Sequence, residues 1–168
     1  MRIGVPLEPE DQPLVAATPD TVAALIRLGH EVVVQAGAGG AARHPDTEYE
    51  GAGAGIDDEA GAWGADIVTT LDAPTGEHLA LMHPGAVLVA RLAPARNPEL
   101  LEELRAAGVT ALALDAVPRI SRAQSLDVLS SQANIAGYRA VIEAAAAFGR
   151  VFTGQVTAAG KMPPADVY

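Results

Sequence analysis

Short apolar runs alternate with amphipathic stretches along residues 1–114 of the chain. The runs are rich in Val, Ile and Leu and predict five β-strands, at Arg2–Val5, Glu31–Gln35, Asp66–Leu71, Ala86–Leu92 and Val109–Leu114. The stretches between them have helical periodicity and predict α-helices, at Pro19–Leu28, Thr47–Gly51, Asp57–Trp63, Gly76–Met82 and Pro98–Ala107. Strands that alternate with helices pair in parallel through crossover connections. The pattern therefore predicts an α/β fold with a doubly wound, mostly parallel sheet (flavodoxin-like or Rossmann-like) followed by one long helix.

The long helix is predicted at Gln124–Phe148. Small residues recur between Ala133 and Ala144, at spacings that allow another element to approach closely. One interpretation is a core helix packed against the sheet; the other is a spine between two domains, or a subunit interface. Residues 149–168 have no clear period. We therefore divide the chain into an α/β unit at 1–123, a connecting helix at 124–148 and a tail at 149–168.

Composition places the chain among globular proteins. Its 168 residues allow one compact domain, and 49% of them are hydrophobic with a mean hydropathy of +0.20. No apolar run approaches the roughly 20 residues that cross a bilayer. The first residues read as a strand and lack the basic region and long apolar stretch of a signal peptide. We therefore expect a cytoplasmic protein.

Several kinds of chemistry are excluded or disfavoured. The chain has no cysteine, which excludes disulfides and thiolate metal sites. The net charge of -10 argues against nucleic acid as a partner. None of the four histidines stands at a metal-binding spacing, and no serine lies in a strand–elbow–helix context. We therefore expect neither a metal site nor a hydrolytic triad.

A glycine-rich run, residues 37–42, matches the letter of a dinucleotide-binding fingerprint and follows a predicted strand. Such a motif needs a helix that opens directly after it, and Pro45 opposes one here. The acidic residue expected at the end of the next strand is also missing. A tight loop is favoured over a phosphate site.

A polar segment, Pro118–Asp127, follows the last predicted strand. It contains the side chains Arg119, Ser121, Arg122, Gln124, Ser125 and Asp127. Ligands of open α/β sheets bind beyond the carboxyl ends of strands, so this segment is the expected place for a binding site. The same composition also suits a helix start that is capped by Ser121 or Ser125, with Asp127 in the first turn. The residues alone leave both interpretations open.

The sequence from Pro118 to Val167, PRISRAQSLDVLSSQANIAGYRAVIEAAAAFGRVFTGQVTAAGKMPPADV, strongly resembles the NAD(P) transhydrogenase alpha subunit. The first residues, RIGVPLEPEDQPLVAATPDTVAALIRLGHEVVVQAGAG, are similar to the amino terminus that this subunit shares with alanine dehydrogenase. The resemblance spans nearly the whole chain and is most specific from Pro118 onward. It implies reversible hydride transfer between NAD(H) and NADP(H), coupled to proton translocation.

The resemblance also implies roles for individual residues. Arg119, Asp127 and Ser130 would orient the nicotinamide of NAD(H), and Gln124 would contact the partner nucleotide. NADP(H) would be supplied by a partner subunit, and no metal is implied. The complete subunit would be a homodimer that associates with the inner membrane through membrane and NADP-binding subunits.

Two positions depart from the family's pattern. Leu7 and Leu14 stand where the family usually has a lysine and an arginine. In alanine dehydrogenase that arginine, a lysine and a histidine handle the keto acid, and this chain has Leu14, Asp72 and Arg91 in those regions. The departures favour transhydrogenase over alanine dehydrogenase.

The family's Lys-x-Pro-Pro segment, here at Lys161, leads into a strand and a glycine-rich NAD fingerprint. We therefore expect the chain to be a truncated or split subunit, with its tail leading to a missing NAD-binding domain, and to be inactive alone. Two alternatives stay open: an alanine-dehydrogenase-like oxidoreductase fragment, and a non-catalytic interaction module that docks through the long helix.

Overall fold

A computed structural model describes residues 1–166 of the chain. Two compact units are present, Met1–Leu126 and Asp127–Tyr168. Val167 and Tyr168, which end the predicted tail and the family-like segment, lie outside the described residues. The predicted division at 123 and 148 stays a prediction.

The first unit contains a sheet of six parallel strands in the order β3-β2-β1-β4-β5-β6. The strands are β1 Arg2–Val5, β2 Glu31–Gln35, β3 Gly55–Asp57, β4 Ile67–Thr69, β5 Val87–Ala90 and β6 Thr110–Ala113. Successive strands run outward from β1 in one direction and from β4 in the other. The doubly wound α/β class is confirmed, and its topological switch point lies between β1 and β4.

Five helices connect these strands, and the sequence explains where most of them begin. They are α1 Pro19–Arg27, α2 Asp46–Gly51, α3 Glu59–Trp63, α4 Gly76–Leu81 and α5 Pro98–Ala106. The side chains of Thr18, Asp58 and Thr75 accept hydrogen bonds from the first-turn amides of α1, α3 and α4. All five helices were predicted, with small differences at their ends.

Two apolar clusters form the core of this unit. One gathers side chains around β4 and β5, including Val68, Leu88 and Leu104. The other lies around β1 and β2 and includes Val34 and Tyr49. The buried Tyr49 hydroxyl donates a hydrogen bond of 2.9 Å to the carbonyl oxygen of Ala17, so its polar atom is satisfied.

The sequence did not predict strand β3. It is only three residues long and follows a glycine-rich run, so it carries no alternating apolar pattern of its own. Backbone pairing with Val33, Val34 and Gln35 of β2 creates it. An ion pair of 2.8 Å between Arg2 and Asp57 also links β3 to β1.

The second unit begins with helix α6, Val128–Phe148. The predicted start at Gln124 is wrong, because Ser121–Leu126 forms a 3-10 helix and Asp127 has the non-helical backbone of an amino-terminal cap. The predicted caps Ser121 and Ser125 are replaced by Asp127 for the same reason. None of the residues in α6 is buried, although the core-helix interpretation required a buried face.

A short antiparallel hairpin follows α6. Its strands are β7 Gln155–Thr157 and β8 Gly160–Met162, joined through Ala158 and Ala159. This region was predicted to be an irregular connection, because three-residue strands leave too few positions to show alternation.

Among residues 1–166, none of the helices combines the length and the apolar character needed to cross a membrane.

Gly4 allows helix α3 to pack closely on β1. A Cβ atom at this position would lie 1.9 Å from the carbonyl oxygen of Ala62 and 3.0 Å from the Cβ of Ala65. Backbone and a short side chain cannot move aside as a flexible side chain can, so only glycine fits. The contact fixes the distance between helix and strand.

We expect Gly4→Ala to lower the free energy of unfolding by about 3 kcal/mol or to prevent folding, because α3 must shift away from the sheet. Urea unfolding followed by circular dichroism measures the change. Gly55→Ala is the matched control, since Gly55 is also in a strand but meets no atom within 4 Å. The control should be neutral or stabilising by about 0.5 kcal/mol. Equal losses in both variants would contradict the packing argument.

Candidate functional site

A buried carboxylate joins the two halves of the sheet at the switch point. Glu8 follows β1, is 6% exposed, and accepts hydrogen bonds from groups that follow β4. The donors are the Thr70 hydroxyl at 3.0 Å, the Leu71 amide at 2.7 Å and the Asp72 amide at 3.5 Å. The crevice in which doubly wound proteins usually bind ligands is therefore bridged here by the chain's own side chain.

Burial raises the pKa of the Glu8 carboxyl group above its usual value. The hydrogen bonds from Leu71, Thr70 and Asp72 act in the opposite direction but do not cancel the effect of burial, and the negative charge of Asp72 adds to the rise. The site therefore holds a carboxyl group that keeps its proton to a higher pH than an exposed glutamate does.

Charged groups beside Glu8 are paired with one another. The Arg91 guanidinium forms an ion pair with the Asp72 carboxylate, and Arg91 Nε donates a hydrogen bond of 3.0 Å to the carbonyl oxygen of Leu71. The Gln12 side-chain amide donates to the other oxygen of Asp72 at 3.0 Å. Arg91 is thus neutralised within the chain, which disfavours binding of a substrate carboxylate at this place.

Both departures from the family's pattern expose leucine at this edge. Leu7 and Leu14 are 46% and 47% exposed. A cavity lies beside Leu7 and is lined by Leu7, Glu8, Pro9, Glu10, Gln12, Ala38 and Ala41. Among these lining residues, all within the described part of the chain, there is no cationic side chain. The cavity is therefore unsuited to a keto acid.

The glycine-rich run at 37–42 forms a loop that uses its amides internally. The Gly37 amide donates to both oxygens of the Asp46 carboxylate, at 2.9 and 3.2 Å. The Ala38 and Gly40 amides donate to the carbonyl oxygens of Gln35 and Gly37. The next helix begins only at Asp46. This agrees with the tight-loop interpretation, because an internal carboxylate takes the place that a phosphate would need.

Arg119 and Gln124 lie on an exposed segment that leaves the carboxyl end of β6. The segment passes through a 3-10 turn at Leu114–Ala116 and continues into the 3-10 helix at Ser121–Leu126. Both side chains are exposed. The first unit therefore presents a guanidinium and an amide on the strand edge at which doubly wound folds bind ligands.

Asp127 and Ser130 belong to the second unit and are bonded to each other. Asp127 accepts hydrogen bonds from the Ser130 amide at 2.9 Å and from the Ser130 hydroxyl at 2.6 Å. Asp127 thus caps the amino end of α6, a role for which the composition of the segment had suggested Ser121 or Ser125.

Sequence reasoning missed Glu8, Gln12 and Asp115 as site-forming residues. Each lies in the connection that directly follows a β-strand. A polar side chain at such a place was the available signal. Their partners lie far away in sequence, so the contacts themselves had no local pattern.

Within residues 1–166, no three His, Asp or Glu side chains come together to hold a metal ion.

Comparison with known proteins identifies relatives of the chain. The sequence profile described as "Alanine dehydrogenase/PNT, N-terminal domain" matches residues 4–136. The NAD(P) transhydrogenase subunit alpha of Haemophilus influenzae is 54% identical over an alignment of 168 positions, which covers 99% of this chain and 33% of the relative. The alanine dehydrogenase of Bacillus subtilis is 37% identical over 139 residues, 82% of this chain and 39% of the relative.

The fold has a close counterpart among solved structures. The transhydrogenase from Sinorhizobium meliloti has a TM-score of 0.89 and 42% identity, over 98% of this chain and 50% of that one. The chain thus spans about a third of the length of the Haemophilus relative and half of the solved chain.

The raised pKa of Glu8 predicts a pH-dependent contribution to stability. The folded chain holds the Glu8 proton more tightly than the unfolded chain, so the stabilisation is complete below the ordinary carboxyl pKa and is lost as pH rises through the raised value. Glu8→Gln has no proton to lose. The variant should therefore gain stability relative to the parent chain as pH rises from about 4 to neutrality. Urea unfolding at a series of pH values measures this difference.

The exposed Glu10 provides the control, since it lies on the same segment. For Glu10→Gln we expect a difference from the parent that changes much less with pH. If the advantage of Glu8→Gln shrank as pH rose, the fold would instead favour the Glu8 carboxylate, and the argument from burial would fail.

Proposed function

The chain belongs to the Alanine dehydrogenase/PNT N-terminal domain family, and we propose that it supplies the nicotinamide-positioning part of an NAD(P) transhydrogenase alpha subunit. The observation that carries the proposal is the exposed segment with Arg119 and Gln124, beside a sheet edge whose own charges are already paired. The higher identity to the transhydrogenase subunit than to alanine dehydrogenase, 54% against 37%, supports it.

The reaction is hydride transfer between NAD(H) and NADP(H), and the nicotinamide rings supply the hydride chemistry when bound. The residues of this chain only need to hold and orient these rings. Arg119, Asp127 and Ser130 orient the NAD(H) nicotinamide by hydrogen bonds to its carboxamide and ribose. Gln124 contacts the partner nucleotide.

The donor and acceptor groups of the candidate site fit this task. A guanidinium, an amide, a carboxylate and a hydroxyl can satisfy a carboxamide and ribose hydroxyls without any nucleophile. The glycine-rich loop at 37–42 does not fit a pyrophosphate, because Asp46 occupies its Gly37 amide. The described residues thus suit the nicotinamide end of a dinucleotide rather than its phosphates.

The partners follow from the same proposal. NADP(H) is brought by a partner subunit, transfer is coupled to proton translocation by membrane subunits, and the alpha subunit acts as a homodimer on the cytoplasmic side of the inner membrane. No metal takes part in this chemistry.

The sheet edge supports transhydrogenation over an alanine dehydrogenase reaction. A keto acid needs a cation for its carboxylate and an acid–base group for its carbonyl. Here Leu14 is exposed where the family has an arginine, and Arg91 is held by Asp72. Leu14 cannot bind the carboxylate of pyruvate, and the Arg91 guanidinium is already engaged by Asp72.

We expect Gln124→Asn, in the intact protein with its partner subunits, to slow hydride transfer by about tenfold to a hundredfold and to leave NADH affinity nearly unchanged. The shorter side chain withdraws the amide by one methylene, and a displacement of this size disturbs the contact geometry of the two rings. Stopped-flow transfer to an NADP analogue and calorimetry with NADH separate the two effects.

Gln132→Asn is the matched control, because Gln132 is an exposed glutamine on α6 outside the candidate site. It should leave both quantities unchanged. Equal losses of rate and affinity in Gln124→Asn would show that Gln124 only binds NADH, and the assigned role would be rejected.

The intact protein should not oxidise NADH when pyruvate and ammonium are supplied. The physical reason is the paired state of Arg91 and the absence of a cation at Leu14. A spectrophotometric assay at 340 nm, with a genuine alanine dehydrogenase as positive control, tests this. Pyruvate-dependent oxidation would replace the transhydrogenase proposal with the alanine dehydrogenase one.

A further inference from the structure

Asp115 fastens the end of strand β6 to the turn that follows β5. Its carboxylate accepts hydrogen bonds from two successive amides, Leu92 at 3.0 Å and Ala93 at 2.7 Å. Asp115 is half-buried, and Leu92 is 1% exposed within the core cluster around β5. The carboxylate is therefore attached to a part of the molecule that cannot shift without disturbing the core.

The carbonyl oxygens of Leu92 and Ala93, whose amides bind Asp115, accept hydrogen bonds as well. The Asn97 side-chain amide donates to the carbonyl oxygen of Leu92 at 2.9 Å, and the Arg96 and Asn97 backbone amides donate to the carbonyl oxygen of Ala93. Ala93 has a φ of 44°, in the left-handed region that a side chain rarely adopts. A strained backbone persists only where its surroundings determine it fully, and here Asp115 supplies the contacts to the amides.

The chain between Asp115 and the candidate site has little freedom. Asp115 lies in the 3-10 turn Leu114–Ala116, Pro118 fixes its own φ, and the Ile120 amide donates to the carbonyl oxygen of Pro118 at 2.9 Å. Arg119 stands inside this short stretch. Because this stretch is short and partly ordered, a displacement of Asp115 is expected to shift the backbone of Arg119.

We propose that Asp115 is a positioning residue for the nicotinamide site, and that its paired hydrogen bonds to Leu92 and Ala93 set the place from which the segment carrying Arg119 and Gln124 leaves the sheet. This inference rests on the function proposed above for that segment. Asp115 touches no substrate; it acts through the loop that it anchors.

Asp115→Asn tests the anchor with little change in size. The variant keeps one oxygen, but its NH2 group faces an amide N–H that then lacks an acceptor. In the intact protein with its partner subunits, kcat for transhydrogenation should fall by about tenfold, and KM for NADH should change little, because the ring geometry is disturbed more than the binding. Amide hydrogen exchange at residues 116–126 should become faster.

Asp46→Asn is the matched control. Asp46 is likewise a carboxylate that accepts from a loop amide, but it fastens the glycine-rich loop next to β2. It should change neither kcat nor exchange at 116–126. If Asp115→Asn leaves kcat and exchange at the parent values, or if both variants lower kcat alike, the inference is overturned.

A variant that fails to fold and a parent protein without activity also give decisive outcomes. If Asp115→Asn does not fold, the same change is made in an Ala93→Gly background, where loss of the Cβ atom relieves the strain at the turn; the comparison is then with Ala93→Gly alone, and equal kcat values overturn the inference. If the parent protein has no transhydrogenase activity, the proposed function fails. Amide hydrogen exchange at residues 116–126 then still tests whether Asp115 anchors the segment.

Discussion

The Glu8 carboxylate sets the geometry on which the rest of the sheet edge depends. It is buried between the ends of β1 and β4, and it accepts hydrogen bonds from the Thr70 hydroxyl and the Leu71 and Asp72 amides. Without it the donor groups that follow β4 would lack this acceptor from the β1 side of the switch point, and burying them would be costly. Burial of the carboxylate is itself unfavourable, as its raised pKa shows, so this stabilising contact contains a conflict between desolvation and hydrogen bonding.

A chain of contacts extends from Glu8 across the edge of the sheet. Glu8 fixes Leu71 and Asp72, and these two residues are the partners of Arg91. The residues that follow Arg91, Leu92 and Ala93, are held by the Asp115 carboxylate. The polar groups of this edge therefore form hydrogen bonds and ion pairs with one another, which leaves them less available to a substrate. The chemistry assigned to the molecule lies on the segment that leaves this edge, which is consistent with a reaction that needs orientation and not a reactive side chain.

The parts that the sequence predicted well are those with a repeating pattern. Five of the six strands in the sheet and all of its helices follow from hydrophobic periodicity and caps such as Thr18. Strand β3 and the hairpin β7–β8 are too short to show a period, and the start of α6 depends on whether Asp127 or a serine makes the cap, which composition cannot decide. The site residues came from a family resemblance; Glu8 and Asp115 were missed because a carboxylate that binds distant amides leaves no mark in the local sequence.

The Asp72–Arg91 pair constrains the order in which this edge can change during evolution. If Arg91 were replaced first, the Asp72 carboxylate would remain next to Glu8, whose pKa its charge already raises, with no cation to balance it. Replacing Asp72 first removes the negative charge that raises the Glu8 pKa and leaves Arg91 with its hydrogen bond to the carbonyl oxygen of Leu71, which is the milder state. Descendants that acquire a carboxylate-binding edge are therefore expected to pass through an intermediate that has lost the aspartate and kept the arginine. The effect of a substitution at either position thus depends on the residue at the other, which makes the two positions epistatic.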